Sequence, residues 1–124
     1  MVKVKSYKDY ISEIFQSDLT WKQLCDCNVL VTGATGLIGH CLVEVLLLNN
    51  NINCQVFVLG RSLKRLEDKY FNYRDNERLH FVESDIGKDL NCDITFKYII
   101  HAASPASPNF FSNNPMFIFL LYYI

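Results

Sequence analysis

The stretch VLVTGATGLIGHCLVEVL, residues 29–46, constrains the fold more than any other part of this chain. A β-branched apolar run over 28–32 ends at Gly33, and glycines recur at 36 and 39 before a long apolar segment that stops at an asparagine cluster. The run predicts a strand, and the segment behind the glycines predicts about three turns of helix. Each glycine then has its own task. Gly33 lets the chain turn sharply out of the strand, Gly36 leaves the backbone open to close approach, and Gly39 lets the helix pack closely on the strand. A helix beginning near Gly36 presents unpaired amides and a partial positive charge, which suits an anionic diphosphate. An ordinary strand-to-helix turn has no use for three glycines, which lower loop and helix stability.

The rest of the chain alternates in the same way. Residues 54–60 (CQVFVLG), 78–85 (RLHFVESD) and 96–103 (FKYIIHAA) predict strands, and 61–71 predicts a charged helix with Leu63 and Leu66 inward. Strands that are near-continuous apolar runs separated by helices indicate a parallel sheet covered on both faces. Right-handed crossovers give the strand order 3-2-1-4. The expected fold is an α/β, Rossmann-type parallel sheet that ends after about four strands, with helices on both faces. Upstream, Tyr7, Tyr10, Ile11, Ile14 and Phe15 fall at helical spacing, and SDLTWKQL begins a further turn capped by Ser17 or Asp18. The chain thus divides into a helical lead-in (1–27), a nucleotide-binding sheet (28–115) and an apolar tail (116–124).

Composition narrows the function. A chain of 124 residues makes one domain, and half of its residues are apolar, enough for a packed core. With 12 Lys+Arg against 13 Asp+Glu and no basic stripe, nucleic acid is a poor partner. Asp9 and Glu13 interrupt the N-terminal stretch, so it lacks the uncharged core of a signal peptide or membrane span, and a cytoplasmic protein is expected. Five cysteines, at 25, 27, 41, 54 and 92, offer no C-x-x-C pair with a second pair or a histidine cluster, so no metal site is expected. Cys25 and Cys27 would point apart in a turn, and all five read as reduced structural thiols.

The glycine spacing, G-x-x-G-x-x-G in VLVTGATGLIG, resembles the nucleotide-binding start of the extended short-chain dehydrogenase/reductase family, the NAD(P)-dependent epimerases, dehydratases and decarboxylases of sugar nucleotides. ESDI (83–86) is similar to the family's acidic segment, and HAASPASP (101–108) is most similar to the UDP-glucuronate decarboxylase and dTDP-glucose dehydratase branch. The resemblance runs from about residue 24 to 115. It implies that Gly33, Gly36, Leu37 and Ile38 line a pyrophosphate within a loop that includes Thr35 and Gly39. It further implies that Asp85 and Ile86 meet the adenine, and that Ala102, Ala103 and Ser104 meet the ribose and nicotinamide side. Asp85 could instead bond backbone amides of its own loop, and His101 is expected to be satisfied by neighbouring backbone rather than to act in catalysis.

The coenzyme is NAD or NADP. A ribose 2'-hydroxyl is usually held by an acid at the end of the second strand, whereas an arginine there suits a 2'-phosphate. Here VLGRS provides Arg61, with Ser62 as a possible hydroxyl donor. Arg61 could equally cap the next helix or lie against the adenine ring.

The family's chemistry, by the same resemblance, depends on a Tyr-x-x-x-Lys pair in which lysine lowers the tyrosine pKa for proton transfer. No tyrosine here has a lysine four residues on, and the nearest pair, Tyr70 with Arg74, reads as surface helix. After SNNPM the sequence becomes FIFLLYYI, where family members carry an amphipathic helix. Residues 116–124 are too few to cross a bilayer. The expectation is the N-terminal part of a longer enzyme, cut or frame-shifted near residue 116. Such a chain is inactive alone, of marginal stability, and prone to self-association through its sheet edge and tail. The alternatives are a dinucleotide-holding fragment without turnover, and an interaction protein in which the glycines form a simple turn.

Overall fold

A computed structural model describes residues 4–85, 87–90 and 92–103. In chain order the elements are α1 (Tyr7–Gln16), a 3-10 turn (Trp21–Leu24), β1 (Asn28–Thr32), α2 (Leu37–Leu48), β2 (Gln55–Gly60), α3 (Leu63–Lys69), a second 3-10 turn (Phe71–Tyr73), β3 (Leu79–Glu83) and β4 (Tyr98–His101). The four strands form one parallel sheet in the order β3-β2-β1-β4, as the alternating pattern predicts. Val31 lies in register between Val58 of β2 and Ile100 of β4, so the glycine-bearing strand is central.

Strand alternation splits the core in two. Val29, Val31, Val56 and Val58 face one side and pack with Val43, Leu46 and Leu47 of α2, Leu66 of α3, and Tyr70. Full burial of each such aliphatic side chain contributes about 1.5–3 kcal/mol, and this face is the main source of cohesion. Leu30, Phe57 and Leu59 face the other way, against Val82, Leu90 and Phe96. There Phe57 meets Phe96 edge-on at 5.2 Å and stacks on His80 at 4.6 Å. Helical cover was expected on both faces. The described core places α2 and α3 on one, while Leu90 and Phe96, from the connection before β4, pack on the other.

Two local expectations are corrected. Leu63, the first residue of α3, is 39% exposed, while Leu66 one turn further on is fully buried. The segment after α1 is a 3-10 turn whose N-cap is Thr20, not Ser17 or Asp18. Ser17 instead closes α1, its amide donating to the Ile14 carbonyl. The start of α1 is fixed by a capping box in which the Ser6 hydroxyl accepts from the Asp9 amide and the Asp9 carboxylate accepts from the Ser6 amide.

The C-terminal end of α2 has no basic residue in its last turn. Arg78, just before β3, supplies the missing charge from 31 residues away in sequence: its guanidinium donates to the carbonyls of Leu46 (3.1 Å), Leu47 (2.7 Å), Asn49 (3.3 Å) and Cys54 (3.3 Å). The orphan carbonyls of a helix end are thereby satisfied by a cation at the negative pole of the helix.

All five cysteines are free thiols. Cys25 donates weakly to the Trp21 carbonyl and Cys27 to the Leu24 carbonyl, with Asp26 between them at φ 53°, so the two sulfurs serve different backbone groups. Burial pushes the thiols of Cys27 and Cys54 up from their usual pKa. Among the described residues no helix is long and apolar enough to cross a membrane. No cluster of three metal-ligating side chains occurs among them either.

Candidate dinucleotide site

β1 ends at Thr32 and the chain turns at once. Gly33 sits at φ +69°, a left-handed conformation that favours glycine. A Cβ there would lie 2.5 Å from the Ala102 carbonyl oxygen and the Ala103 nitrogen, so the residues leaving β4 pass directly over it. The Gly36 amide donates to the Gly33 carbonyl at 3.1 Å, closing a tight turn. Gly36 is the N-cap of α2 and has ordinary extended angles, with only the Gly33 oxygen near its absent Cβ, at 3.3 Å. At Gly39 a Cβ would fall 2.8 Å from the Gly33 carbonyl carbon. Gly33 and Gly39 are therefore demanded by close backbone packing, whereas Gly36 is exposed and a Cβ there would meet only the Gly33 carbonyl oxygen.

This matters for what the loop can hold. The first helical bond runs from the His40 amide to the Gly36 carbonyl, and no side chain caps α2. The amides of the first turn thus point outward with the positive end of the helix behind them. Around them Thr35, Gly36, Leu37 and Ile38 are all exposed, Leu37 at 89% and Ile38 at 70%. An uncapped helix end, an open mouth and a position without a side chain fit a diphosphate.

The loop is held from beneath by a residue that sequence reasoning placed elsewhere. Tyr70, expected on a surface helix with Arg74, is fully buried, and its hydroxyl donates to the Ala34 carbonyl within the glycine loop. Burial raises its pKa, so it stays a phenol and a donor. Its ring packs 5.0 Å from that of His40, which pairs with Glu44 one turn further along α2. Arg74 is exposed, stacked 4.1 Å over Phe71 and donating to that residue's carbonyl. The only sequence hint of Tyr70's role was an aromatic residue four positions after the inward Leu66.

The other candidates gather at the same edge of the sheet. Ala102 follows β4 and its amide donates to the Thr32 carbonyl at 3.1 Å, which brings Ala102 and Ala103 against Gly33. His101 is exposed, and its Nδ1 is hydrogen-bonded to the Thr32 hydroxyl at 2.8 Å. Beyond β2, Arg61 is exposed and does not cap α3; Ser62 does, accepting from the Arg65 amide. Beyond β3, Asp85 bonds the Gly87 amide at 3.1 Å, the turn-forming alternative for that carboxylate. Ile86 and Ser104 lie outside the described residues.

A cavity of about 500 Å³ lies away from this edge, between Phe15, Trp21, Cys25 and the Leu48–Ile52 connection. Its walls belong to the end of α1, the first 3-10 turn and the exit of α2, and it has no part of the glycine loop. The open crevice above the strand ends is the better candidate, because ligands of open parallel sheets bind where strand order reverses. Here the reversal falls between β1 and β4, where Gly33 meets Ala102.

A parallel 3-2-1-4 sheet with a three-glycine loop and an uncapped helix end at its switch point defines the Rossmann class of α/β proteins. The chain belongs to the NAD dependent epimerase/dehydratase family, which it matches across residues 29–117. A UDP-glucuronic acid decarboxylase of Arabidopsis thaliana is 30% identical over 105 residues, covering 85% of this chain and 27% of that protein. The X-ray structure of Pen from Bacillus thuringiensis superposes with a TM-score of 0.60 at 28% identity, covering 78% of this chain and 31% of that one. A UDP-glucuronic acid 4-epimerase variant of Bacillus cereus, solved with NAD and a fluorinated UDP-sugar, shares the fold at TM-score 0.50 and 24% identity, over 64% of this chain and 27% of that one. The chain thus spans about a quarter of the plant relative's length.

Proposed function

We propose that this chain holds NAD by its diphosphate on the loop from Gly33 to Gly39, as the cofactor-binding portion of a sugar-nucleotide epimerase, dehydratase or decarboxylase. The observation that carries this reading is the uncapped first turn of α2, opened at Gly36 and placed at the reversal of strand order. Thr35, Leu37 and Ile38 flank the diphosphate, and Ala102 and Ala103 form the wall towards the nicotinamide. NAD, when bound, supplies a hydride acceptor to the sugar. This chain's own residues bind and orient the cofactor through backbone amides, whose direction Tyr70 secures by holding the Ala34 carbonyl inward.

On this reading the 124 residues bind cofactor without turnover. The sequence has no Tyr-x-x-x-Lys pair, and Tyr70 has its hydroxyl committed to the loop. The sugar nucleotide belongs to the full-length family enzyme. The decisive measurement is thermal unfolding of the purified chain alone and with NAD or NADP. A ligand at 100 times its dissociation constant should add about 2.7 kcal/mol. Gly36→Ala should still fold, since the added methyl meets only the Gly33 carbonyl oxygen, at 3.3 Å, which must give by a few tenths of an ångström, yet lose the shift. No shift with either dinucleotide, or an undiminished shift in Gly36→Ala, overturns the proposal.

A further inference from the structure

The end of β2, where an acid usually receives the adenosine ribose, is Gly60 followed by Arg61. The structure shows why no carboxylate stands there and where one does. A Cβ at Gly60 would press on the Leu66 side chain at 3.0–3.2 Å, so this position is kept small by the packing of α3. Its register partner on β3 is Glu83, and the Ser84 amide donates to the Gly60 carbonyl at 2.9 Å, locking the two strand ends side by side. From β3 the Glu83 carboxylate reaches across the end of β2, where its Oε2 accepts from the Leu63 amide at 3.0 Å. The acid missing from β2 is therefore delivered by the neighbouring strand to the same place.

We infer that Glu83 is the specificity-determining residue for the adenosine ribose, accepting its 2'-hydroxyl and excluding a 2'-phosphate, so that the chain selects NAD over NADP despite Arg61. This rests on the dinucleotide reading above and deepens it. A carboxylate has two oxygens and about four acceptor sites, so the bond to Leu63 leaves capacity for a hydroxyl. A 2'-phosphate at this corner would face the Glu83 charge. The amides of Leu63 and Arg65, which could otherwise receive it, are already bonded by Glu83 and Ser62. Arg61 is exposed beside them, and a solvated arginine offsets that repulsion only in part.

Calorimetric titration of the whole chain with NAD and with NADP, at one ionic strength, tests this for the wild type, Glu83→Gln and Arg61→Ala. The wild type should bind NAD at least about tenfold more tightly than NADP, and Glu83→Gln should shrink that ratio about tenfold, by weakening NAD and strengthening NADP. Arg61→Ala should weaken NADP and so widen the wild-type ratio. A wild type that prefers NADP, or a Glu83→Gln chain that keeps the wild-type ratio, overturns the assignment of Glu83 while leaving dinucleotide binding in place. If Glu83→Gln does not fold, Glu83→Asp, which keeps the charge on a shorter side chain, is titrated in its place and should likewise shrink the ratio; a Glu83→Asp chain that keeps the wild-type ratio overturns the assignment. A wild type that binds neither dinucleotide refutes the binding reading itself, and this inference with it.

Discussion

Replacing Arg78 tests whether one side chain closes the lower end of the fold. The guanidinium satisfies carbonyls from the last turn of α2, from its C-cap Asn49 and from Cys54 just before β2. Each hydrogen bond to a charged group contributes about 1.5–3 kcal/mol when its partner cannot be re-solvated. The four share one half-buried donor and do not add, and water reaches part of this corner, so the loss for Arg78→Met should be about 3–4 kcal/mol, including a helix-dipole contribution of about 0.5–1 kcal/mol. Arg78→Lys keeps the charge but not the fork, and should lose about half as much. Urea unfolding followed by far-UV circular dichroism reads both, with the slope of the transition unchanged if the native fold persists. A loss below about 1 kcal/mol for Arg78→Met would refute the argument. So would a Lys variant no better than Met.

The glycines should separate by mechanism: Gly33→Ala combines positive φ with a clash against Ala102 and Ala103, and should cost about 3 kcal/mol or more, whereas Gly36→Ala should cost under about 1 kcal/mol. Equal losses in chemical denaturation would contradict this. Tyr70→Phe removes the donor to the Ala34 carbonyl and should cost about 1–2 kcal/mol and weaken NAD binding, measured by the same unfolding and titration; unchanged NAD affinity would deny Tyr70 its hold on the loop. Burial raises the pKa of Tyr70 and pushes that of Tyr73 up to about 12, with Glu44 adding to both. Stability from these phenols is therefore complete below their unfolded value near 10 and falls as pH rises above about 10, since the unfolded chain releases its protons first. A urea midpoint that stays level through that range would contradict the burial of Tyr70 and the partial burial of Tyr73. Thiol labelling of the native chain should modify Cys25, Cys41 and Cys92 before the buried Cys27 and Cys54, and five equal rates would contradict the core described.

The sequence by itself determined the sheet and the place of the loop. Val29, Val31, Val56 and Val58 lie in short apolar runs whose type is set by neighbours within a few residues, and right-handed crossovers then leave one strand order. The tasks of Gly33 and Gly39 were legible for the same reason, since a turn and a close approach are local demands on backbone. Among the described residues the second face is lined by Leu90 and Phe96 from the connection before β4, which the pattern does not single out, because an apolar strand face requires an apolar partner without saying which. Only the tertiary structure decided what Tyr70, Arg78 and Glu83 do. Each is a polar or charged residue that finds its partner 20 or more residues away, at Ala34, at the end of α2 and at Leu63. Apolar periodicity records which side of an element is buried; it carries no record of which distant backbone group a single hydroxyl, guanidinium or carboxylate will reach once the strands have paired.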